Sequence, residues 1–250
     1  MSKSTAERER GARGRRSRPH RFGMVIDLDK CTGCQACVLA CKVENNVPPV
    51  PPPDGIRGRT ISWMDIVTEV ERTYSDVRLK FYPRPCMHCD DPPCTKVCPV
   101  HATYKDEDGI IAQIYARCIG CRFCLVACPY GVKSFNWYDY RTPEERRRPH
   151  NPDVSTRPRG VVEKCTFCHH RLQKAKERAR AENRPLREKD YQPACAESCP
   201  AGAIFFGDLN DPDSKVSRLS RSPRAYRLHE ELGTRPKVIY LSEEKRHVIE

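Results

Sequence analysis

Sixteen cysteines in four groups of four constrain this 250-residue chain more than any other feature. The first group lies in the segment CTGCQACVLAC, where the gaps between cysteines are two, two and three residues. The other groups use related spacings, and no cysteine remains outside them. We call them quartets one to four: Cys31, Cys34, Cys37 and Cys41; Cys86, Cys89, Cys94 and Cys98; Cys118, Cys121, Cys124 and Cys128; and Cys165, Cys168, Cys195 and Cys199.

Three kinds of chemistry use cysteines at this density. Disulfides suit secreted chains, but the chain shows no signal peptide, and these spacings favour strained local rings. Structural zinc sites usually pair two C-x2-C knuckles across a longer loop. Quartets one and three instead follow the run of the bacterial two-cluster ferredoxins, in which the fourth cysteine ligates the other cluster. The pattern therefore predicts four 4Fe–4S clusters.

Quartets two and four depart from this run in their spacing. The residues DDPP separate the second and third cysteines of quartet two, and 26 residues, 169–194, stand at the same place in quartet four. Proline follows Cys98, Cys128 and Cys199, where it ends backbone pairing and turns the chain away. Because every quartet keeps all four thiols, no 3Fe–4S site is predicted.

The composition favours a loop-rich α+β fold organised around the cysteines. Apolar residues make up 38% of the chain and charged residues 31%, with 22 prolines. That is a poor basis for a continuous hydrophobic core, but metal clusters can replace missing apolar burial. No apolar run approaches the roughly 20 residues that span a bilayer.

The formal charge of +12 is unevenly placed, because residues 1–21 carry +6. A solvated tail and an arm for an acidic partner, an anionic membrane or nucleic acid are both consistent with this. The twin arginine, Arg15 and Arg16, is not followed by an apolar segment of signal-peptide length. We therefore expect no export signal of the chain's own. The cytoplasmic side of a membrane is favoured, and periplasmic placement by co-export with a partner stays open.

Each ferredoxin-like module needs two quartets, so we predict two modules, one inserted in the other. The predicted segments are a basic arm (1–22), an outer module (23–45 and 160–210), a proline-rich connector and hairpin (46–83), an inner module (84–140), a linker (141–159) and a C-terminal arm (211–250). Cross-ligation predicts four ligand sets: Cys86, Cys89 and Cys94 with Cys128; Cys118, Cys121 and Cys124 with Cys98; Cys31, Cys34 and Cys37 with Cys199; and Cys165, Cys168 and Cys195 with Cys41.

Local patterns predict a few secondary elements. The residues around the Asp-Gly pair in CPVHATYKDEDGIIAQ indicate two short strands and a turn. SWMDIVTEVE and DVRLKFYP indicate a hairpin, and HHRLQKAKERARAENR indicates a helix that ends near Pro185. The tail segment RAYRLHEELGTRPKVIYL suggests a short helix and a strand on an arm for a neighbouring subunit.

Clusters with four thiolate ligands have no open iron position, so they store and pass single electrons rather than bind substrate. We find no catalytic motif, and His88, His101, His169 and His170 are candidates by residue type alone. Basic residues beside the ligands either tune the cluster potentials or are ordinary surface cations. They are Lys42, Lys96, Arg122, Lys133 and Lys164.

Several longer segments together resemble one family. They include GMVIDLDKCTGCQACVLACKVENNVP, CMHCDDPPCTKVCPVHATY and PACAESCPAGAIFFGDLNDP, and the similarity runs from about Gly23 to Pro212. The chain resembles the four-cluster iron–sulfur subunits of complex iron–sulfur molybdoenzymes, such as the dimethyl sulfoxide, polysulfide, thiosulfate and tetrathionate reductases and a sulfite-oxidising enzyme.

The resemblance implies that the chain transfers electrons from one partner subunit to another. These partners are a molybdopterin-containing catalytic subunit and an integral membrane subunit that binds quinone, through which the chain would be peripheral to the membrane. Alternatives are a four-cluster subunit of a quinol-oxidising complex, a formate dehydrogenase or a hydrogenase. A basic, zinc-dependent nucleic-acid binder is a further alternative, which the pairing into quartets disfavours.

Overall fold

The computed structural model describes residues 20–73, 76–139 and 150–243. Most of the predicted basic arm and residues 141–149 of the predicted linker lie outside these ranges. The described strands are β1 (Phe22–Asp27), β2 (Met64–Thr73), β3 (Asp76–Pro85), β4 (Thr103–Lys105), β5 (Ile111–Gln113), β6 (Ser134–Phe135), β7 (Val162–Glu163), β8 (Ile204–Asp208), β9 (Ala225–Tyr226) and β10 (Val238–Leu241).

Most of the described helices are a single turn or slightly longer. They are α1 (Ala36–Glu44), α2 (Pro52–Ile56), α3 (Pro93–Lys96), α4 (Phe123–Val126), α5 (His169–Ala181), α6 (Ala194–Glu197) and α7 (Lys215–Leu219). Turns of 3₁₀ helix lie at Tyr115–Arg117, Glu188–Asp190 and Glu230–Leu232. The mixed helix and strand content agrees with the predicted α+β class.

A four-stranded sheet in the order β8-β1-β10-β9 joins the two ends of the described chain. Strand β1 pairs antiparallel with β8 and parallel with β10. All six residues of β1 are buried, as expected for a central strand covered on both faces. The sheet therefore connects the segment before quartet one to the segment after quartet four.

The local predictions between the quartets are confirmed. Strands β2 and β3 form the predicted hairpin, β4 and β5 form the short one, and α5 ends before Pro185. In the β4–β5 turn, the Asp106 carboxylate accepts the backbone N–H groups of Asp108 and Ile110, and Gly109 has a φ of 77°. An aspartate that bonds ahead to its own backbone, followed by a left-handed glycine, explains why this sequence turns here.

The segment RAYRLHEELGTRPKVIYL, for which we predicted a short helix and a strand on an arm, packs against the rest of this chain. Strand β10 lies inside the central sheet between β1 and β9, and all four of its residues are buried. The expected helix is only the 3₁₀ turn at Glu230–Leu232. The apolar residues VIYL therefore pack into this chain's own sheet, where their burial stabilises the fold.

A buried ion pair fixes the segment that precedes quartet four. Arg157 Nε donates to Glu163 Oε2 at 2.8 Å, and the two side chains are 1% and 0% exposed. The same guanidinium donates to the backbone carbonyls of Asn45 and Asn46 and lies over the Trp63 ring. Trp63 Nε1 also donates to Glu163. This network connects β7 to the end of α1.

We expect Arg157→Met to destabilise the protein by about 3–5 kcal/mol, because it leaves the Glu163 carboxylate buried without its charge partner. The double variant Arg157→Met/Glu163→Gln should recover part of the loss. The measurement is the temperature at which visible absorbance is half lost. Lys174→Met is the control, since Lys174 pairs with Asp153 at the surface and such pairs contribute little. Equal losses for Arg157→Met and the control would contradict the prediction.

Lys237 provides a pH-dependent contribution to stability. Its side chain is fully buried, and burial lowers the pKa of Lys237 to about 8. Between that value and the ordinary lysine pKa of about 10.4, the unfolded chain binds more protons, so stability rises with pH. Thermal stability should therefore increase between about pH 8 and 9.5, and Lys237→Met should flatten this rise. An unchanged slope in the variant would contradict the assignment.

Candidate metal-cluster sites

The structure brings the sixteen cysteines together in four thiol groups. Three groups each line a small cavity. In the fourth, the thiols of Cys165, Cys195 and Cys168 interact with that of Cys41. The groups are A (Cys31, Cys34, Cys37, Cys199), B (Cys86, Cys89, Cys94, Cys128), C (Cys98, Cys118, Cys121, Cys124) and D (Cys41, Cys165, Cys168, Cys195).

Every group takes three cysteines from one quartet and one from another. Groups A and D combine quartets one and four, and groups B and C combine quartets two and three. Each set therefore holds two distant parts of the chain together. The structure places the side chains in this way, and their role as cluster ligands remains a prediction.

In all four quartets, the residue before the second cysteine has left-handed backbone geometry. These φ values are 69° for Gly33, 43° for His88, 71° for Gly120 and 54° for Phe167. A Cβ at Gly120 would collide with the carbonyl oxygen of Gly160, so glycine is required there. The shared conformation curls each loop so that its first two thiols face one centre.

Helices place the third cysteine of each quartet. Cys37, Cys94, Cys124 and Cys195 lie in α1, α3, α4 and α6, and a fourth cysteine follows four residues after each. In α1, Cys37 and Cys41 share a helical face, so groups A and D are linked through one turn. Cys94 and Cys98 link group B to group C over the same number of residues, although α3 ends before Cys98.

Hydrogen-bond donors point at the sulfur atoms. The backbone N–H of Ala102 donates to Cys98 Sγ at 3.2 Å, and that of Ala203 donates to Cys199 Sγ at 3.3 Å. In group D, the side-chain amide of Asn45 lies 3.7 Å from Sγ of both Cys41 and Cys168. Donors of this kind stabilise thiolates and the clusters that they hold.

Burial and mutual repulsion disfavour free thiolates at several of these cysteines. Burial raises the pKa of Cys37 to about 11 and that of Cys89 to about 12, and neighbouring cysteines add to the shift. Binding of iron must therefore displace protons, and its positive charge removes the repulsion. The four members of group D are buried, whereas Cys34 in group A and Cys121 in group C are exposed.

The donor set fits cubic clusters better than single ions. A single Zn²⁺ needs thiolates that converge to about 2.3 Å from one centre. Within the described ranges, no group of three or more His, Cys, Asp or Glu side chains forms such a site. Four thiols around a cavity, without carboxylate or imidazole, are the ligands of a 4Fe–4S cluster, which supplies one-electron redox chemistry when bound.

The basic residues beside the ligands, whose role the sequence left open, have different environments in the structure. Lys96 pairs with Asp91 at the surface, and the Arg122 guanidinium lies over the rings of Phe135 and Trp137. Lys42 lines an apolar surface groove beside α1. In contrast, Lys133 and Lys164 are buried beside the thiol groups.

The four histidines that the sequence analysis named as candidates do not form a shared site. The buried His88 ring accepts the Ile111 N–H through Nδ1 and stacks on Phe167, with ring centroids 3.7 Å apart. His169 lies near Asp106, and His170 Nε2 lies 2.7 Å from Glu44 Oε1. His101 is exposed and has a φ of 49°. These positions indicate packing and turn roles.

Three residues that the sequence did not single out, Asn45, Glu44 and Arg157, make hydrogen bonds beside group D. Glu44 accepts two hydrogen bonds from Arg171 at 2.6 and 2.7 Å, which joins α1 to α5. Arg171 holds the pKa of Glu44 near 2, so this carboxylate stays ionised. The polar segment KVENN directly after Cys41 was the one local hint of such contacts. Its partners could not be predicted from the sequence, because they lie more than 100 residues away.

Comparison with known proteins identifies the domains. Sequence profiles described as a 4Fe–4S dicluster domain match residues 77–143 and 117–203. A profile described as a 4Fe–4S binding domain matches residues 22–43. The fold and the site therefore define a ferredoxin-type iron–sulfur protein.

Relatives that match most of this chain identify its family within the class of iron–sulfur proteins. The chain is 51% identical to the menaquinone reductase iron–sulfur cluster-binding subunit of Nitratidesulfovibrio vulgaris over 228 residues, 89% of each chain. It is 42% identical to the B subunit of selenate reductase from Mesobacillus selenatarsenatis, over 88% of this chain and 71% of the relative. Identity to the B subunit of tetrathionate reductase from Salmonella typhimurium is 37%, over 89% and 72% of the two chains.

The chain belongs to the family of iron–sulfur electron-transfer subunits of complex iron–sulfur molybdoenzymes. The resemblance drawn from its motifs is thereby confirmed, as is the presence of 4Fe–4S clusters. None of the described helices has the length and hydropathy that a bilayer span requires.

We expect Glu44→Gln to weaken the support of group D, because it removes the charge that Arg171 binds. Iron should be lost to a chelator roughly tenfold faster, corresponding to about 1.5 kcal/mol from one charge-assisted hydrogen bond. The measurement is the rate of visible bleaching under anaerobic conditions. Glu107→Gln is the matched control, since Glu107 is largely exposed. Equal rates in the two variants would show that the Glu44–Arg171 contact does not protect the site.

Proposed function

We propose that this chain carries four 4Fe–4S clusters, one in each of thiol groups A to D. The observation that carries the proposal is the complete division of sixteen cysteines into four sets of four around separate centres. Each set combines three thiols of one quartet with a distant fourth, as in ferredoxins with two clusters. Closed clusters of this kind leave no iron free for substrate, so the chain transfers electrons and another subunit does the catalysis.

The four groups form a chain in the order A, D, B, C. Groups A and D share α1, and Cys37 interacts with Cys41. Cys165 of group D interacts with Cys86 of group B, and the stacked His88 and Phe167 lie in the same two loops. Groups A and C each include an exposed cysteine, Cys34 or Cys121. An electron can therefore enter at one exposed end and leave at the other through buried intermediates.

The proposed partners are a molybdopterin-containing catalytic subunit and a quinone-binding integral membrane subunit. Subunits of the same family serve reductases of selenate and tetrathionate in the relatives named above. The likeness supports a role in respiratory redox metabolism of sulfur compounds or related substrates. The chain would be held at the membrane through its partner.

A second candidate function places the chain in a quinone-linked complex of another kind. The relative with 51% identity is a subunit of a menaquinone reductase, which favours a quinone as one terminus of the electron path. Identification of the subunits that copurify from the native host separates the two candidates. A molybdopterin subunit would support the first, and its absence beside a quinone-reactive subunit would support the second.

We also propose that the inner module, residues 84–140, is inserted into an outer module formed by residues 23–45 and 160–210. Pairing of β1 with β8 supports the outer unit, and the β4–β5 hairpin between quartets two and three supports the inner one. The profile match over residues 117–203 spans both units, so the arrangement rests on strand pairing and the thiol groups.

The anaerobically purified complex should contain about 16 iron and about 16 acid-labile sulfide per chain, with no 3Fe signal in the oxidised EPR spectrum. Zinc in place of iron, without visible absorbance, would contradict the proposal.

Paired ligand variants test the cross-ligation directly. Cys37→Ser and Cys199→Ser should alter the same EPR signal, because both belong to group A. Cys41→Ser should alter a different signal, although Cys41 is only four residues from Cys37. If Cys37→Ser and Cys41→Ser alter one and the same signal, each quartet ligates its own cluster and the insertion is wrong.

A further inference from the structure

Lys133 is a buried cation beside one of the proposed clusters. It lies between Cys128 and β6 and is 7% exposed. Its side chain lines the cavity of thiol group B together with all four cysteines of that group. The segment CPYGVKSF therefore turns a basic side chain inward five residues after Cys128.

The amine of Lys133 has no hydrogen-bond partner among the described residues, and Nζ itself is inaccessible to solvent. A buried charge without a partner is strongly unfavourable, so such a group is expected to face a compensating anion. A 4Fe–4S cluster with four thiolate ligands carries net negative charge and presents sulfur acceptors. The group that would fill the cavity of group B is therefore the missing partner of Lys133.

The position of Lys133 favours group B over group C. Its side chain lines the cavity of group B and is not among the residues that line the cavity of group C. Lys133 is therefore placed to favour negative charge in group B.

The other buried lysine in this region has a different role. Lys164 Nζ donates to the carbonyl oxygens of Ile111 and Cys165, so its charge is already solvated by the backbone. Lys96 is two residues from Cys98, but its side chain is 64% exposed and pairs with Asp91 at 2.7 Å. Of these three lysines, only Lys133 combines burial, a free donor and a place in the lining of a cavity.

We propose that Lys133 donates a hydrogen bond to the cluster in group B and raises the reduction potential of that cluster. The inference rests on the proposed function, because it needs a cluster in group B. Reduction adds one electron to the cluster, and no bond to Lys133 forms or breaks. A nearby buried cation stabilises the reduced, more negative state more than the oxidised state.

The test is an EPR-monitored redox titration of the anaerobically purified complex carrying Lys133→Met. Methionine has a similar length but no charge and no N–H donor. The midpoint of one cluster should fall, so that its reduction equilibrium shifts at least tenfold, which is about 59 mV for a one-electron couple. The signal that changes in Cys89→Ser identifies group B, because Cys89 belongs to that group alone.

Lys96→Met is the matched control, because it removes the same charge near a ligand at an exposed site. Solvent screens that charge, so the midpoint potential of every cluster in this variant should change by much less than the shift expected for Lys133→Met. Lys133→Gln keeps an N–H donor without the charge and should give an intermediate shift. If the methionine variant loses the group B cluster, the midpoint potential of that cluster is measured in Lys133→Gln instead.

Iron and sulfide contents distinguish the ways in which the inference can fail. If the complex with Lys133→Met or Lys133→Gln holds all four clusters and every midpoint equals that of the wild type, the role of Lys133 is wrong and the proposed function stands. If the shift is as large in Lys96→Met, the effect is general surface charge and the inference is also wrong. If the wild-type complex itself lacks iron and sulfide, the proposed function fails first.

Discussion

The grouping of thiols from distant segments is the constraint on which the rest of the structure depends. In group D, burial and mutual repulsion raise the pKa values of Cys41, Cys165 and Cys195, which disfavours free thiolates there in the absence of metal. Only a strongly cationic centre can hold four thiolates together at such a site. Because each group combines two quartets, every cluster would close a long loop of chain. A protein with little apolar residue content can thereby form a stable interior.

A network of buried polar side chains lies beside thiol group D within the otherwise apolar interior. Arg157 and Glu163 form a buried pair that also binds the backbone after α1, and Asn45 donates to two sulfur atoms of group D. Such contacts contribute little net stability by themselves, but they hold the backbone and the side-chain amide beside the thiols of group D in place. The same contacts that support the fold would therefore also surround the proposed cluster in group D.

The proposed path of electrons follows the cysteines that link neighbouring thiol groups. A helix turn carries Cys37 to group A and Cys41 to group D, which keeps adjacent groups close. The contact of His88 with Phe167 connects the loops of groups D and B across the two proposed modules. Exposed thiols occur in groups A and C, where a partner can approach. The two groups with exposed thiols thus stand at the two ends of the proposed path.

The sequence by itself determined the chemistry and the local elements. The spacing of Cys118, Cys121 and Cys124, the turn at Gly109 and the hairpin β2–β3 depend on neighbours along the chain, so pattern reasoning could predict them. Tertiary structure decided the features that need distant partners: the place of β10 inside the sheet, the Glu44–Arg171 contact and the burial of Lys133. Lys96 and Lys133 look alike in sequence, because each is a lysine within five residues of a cysteine. Only the packing of the chain exposes the first to solvent and turns the second towards group B, because solvent access depends on the whole fold.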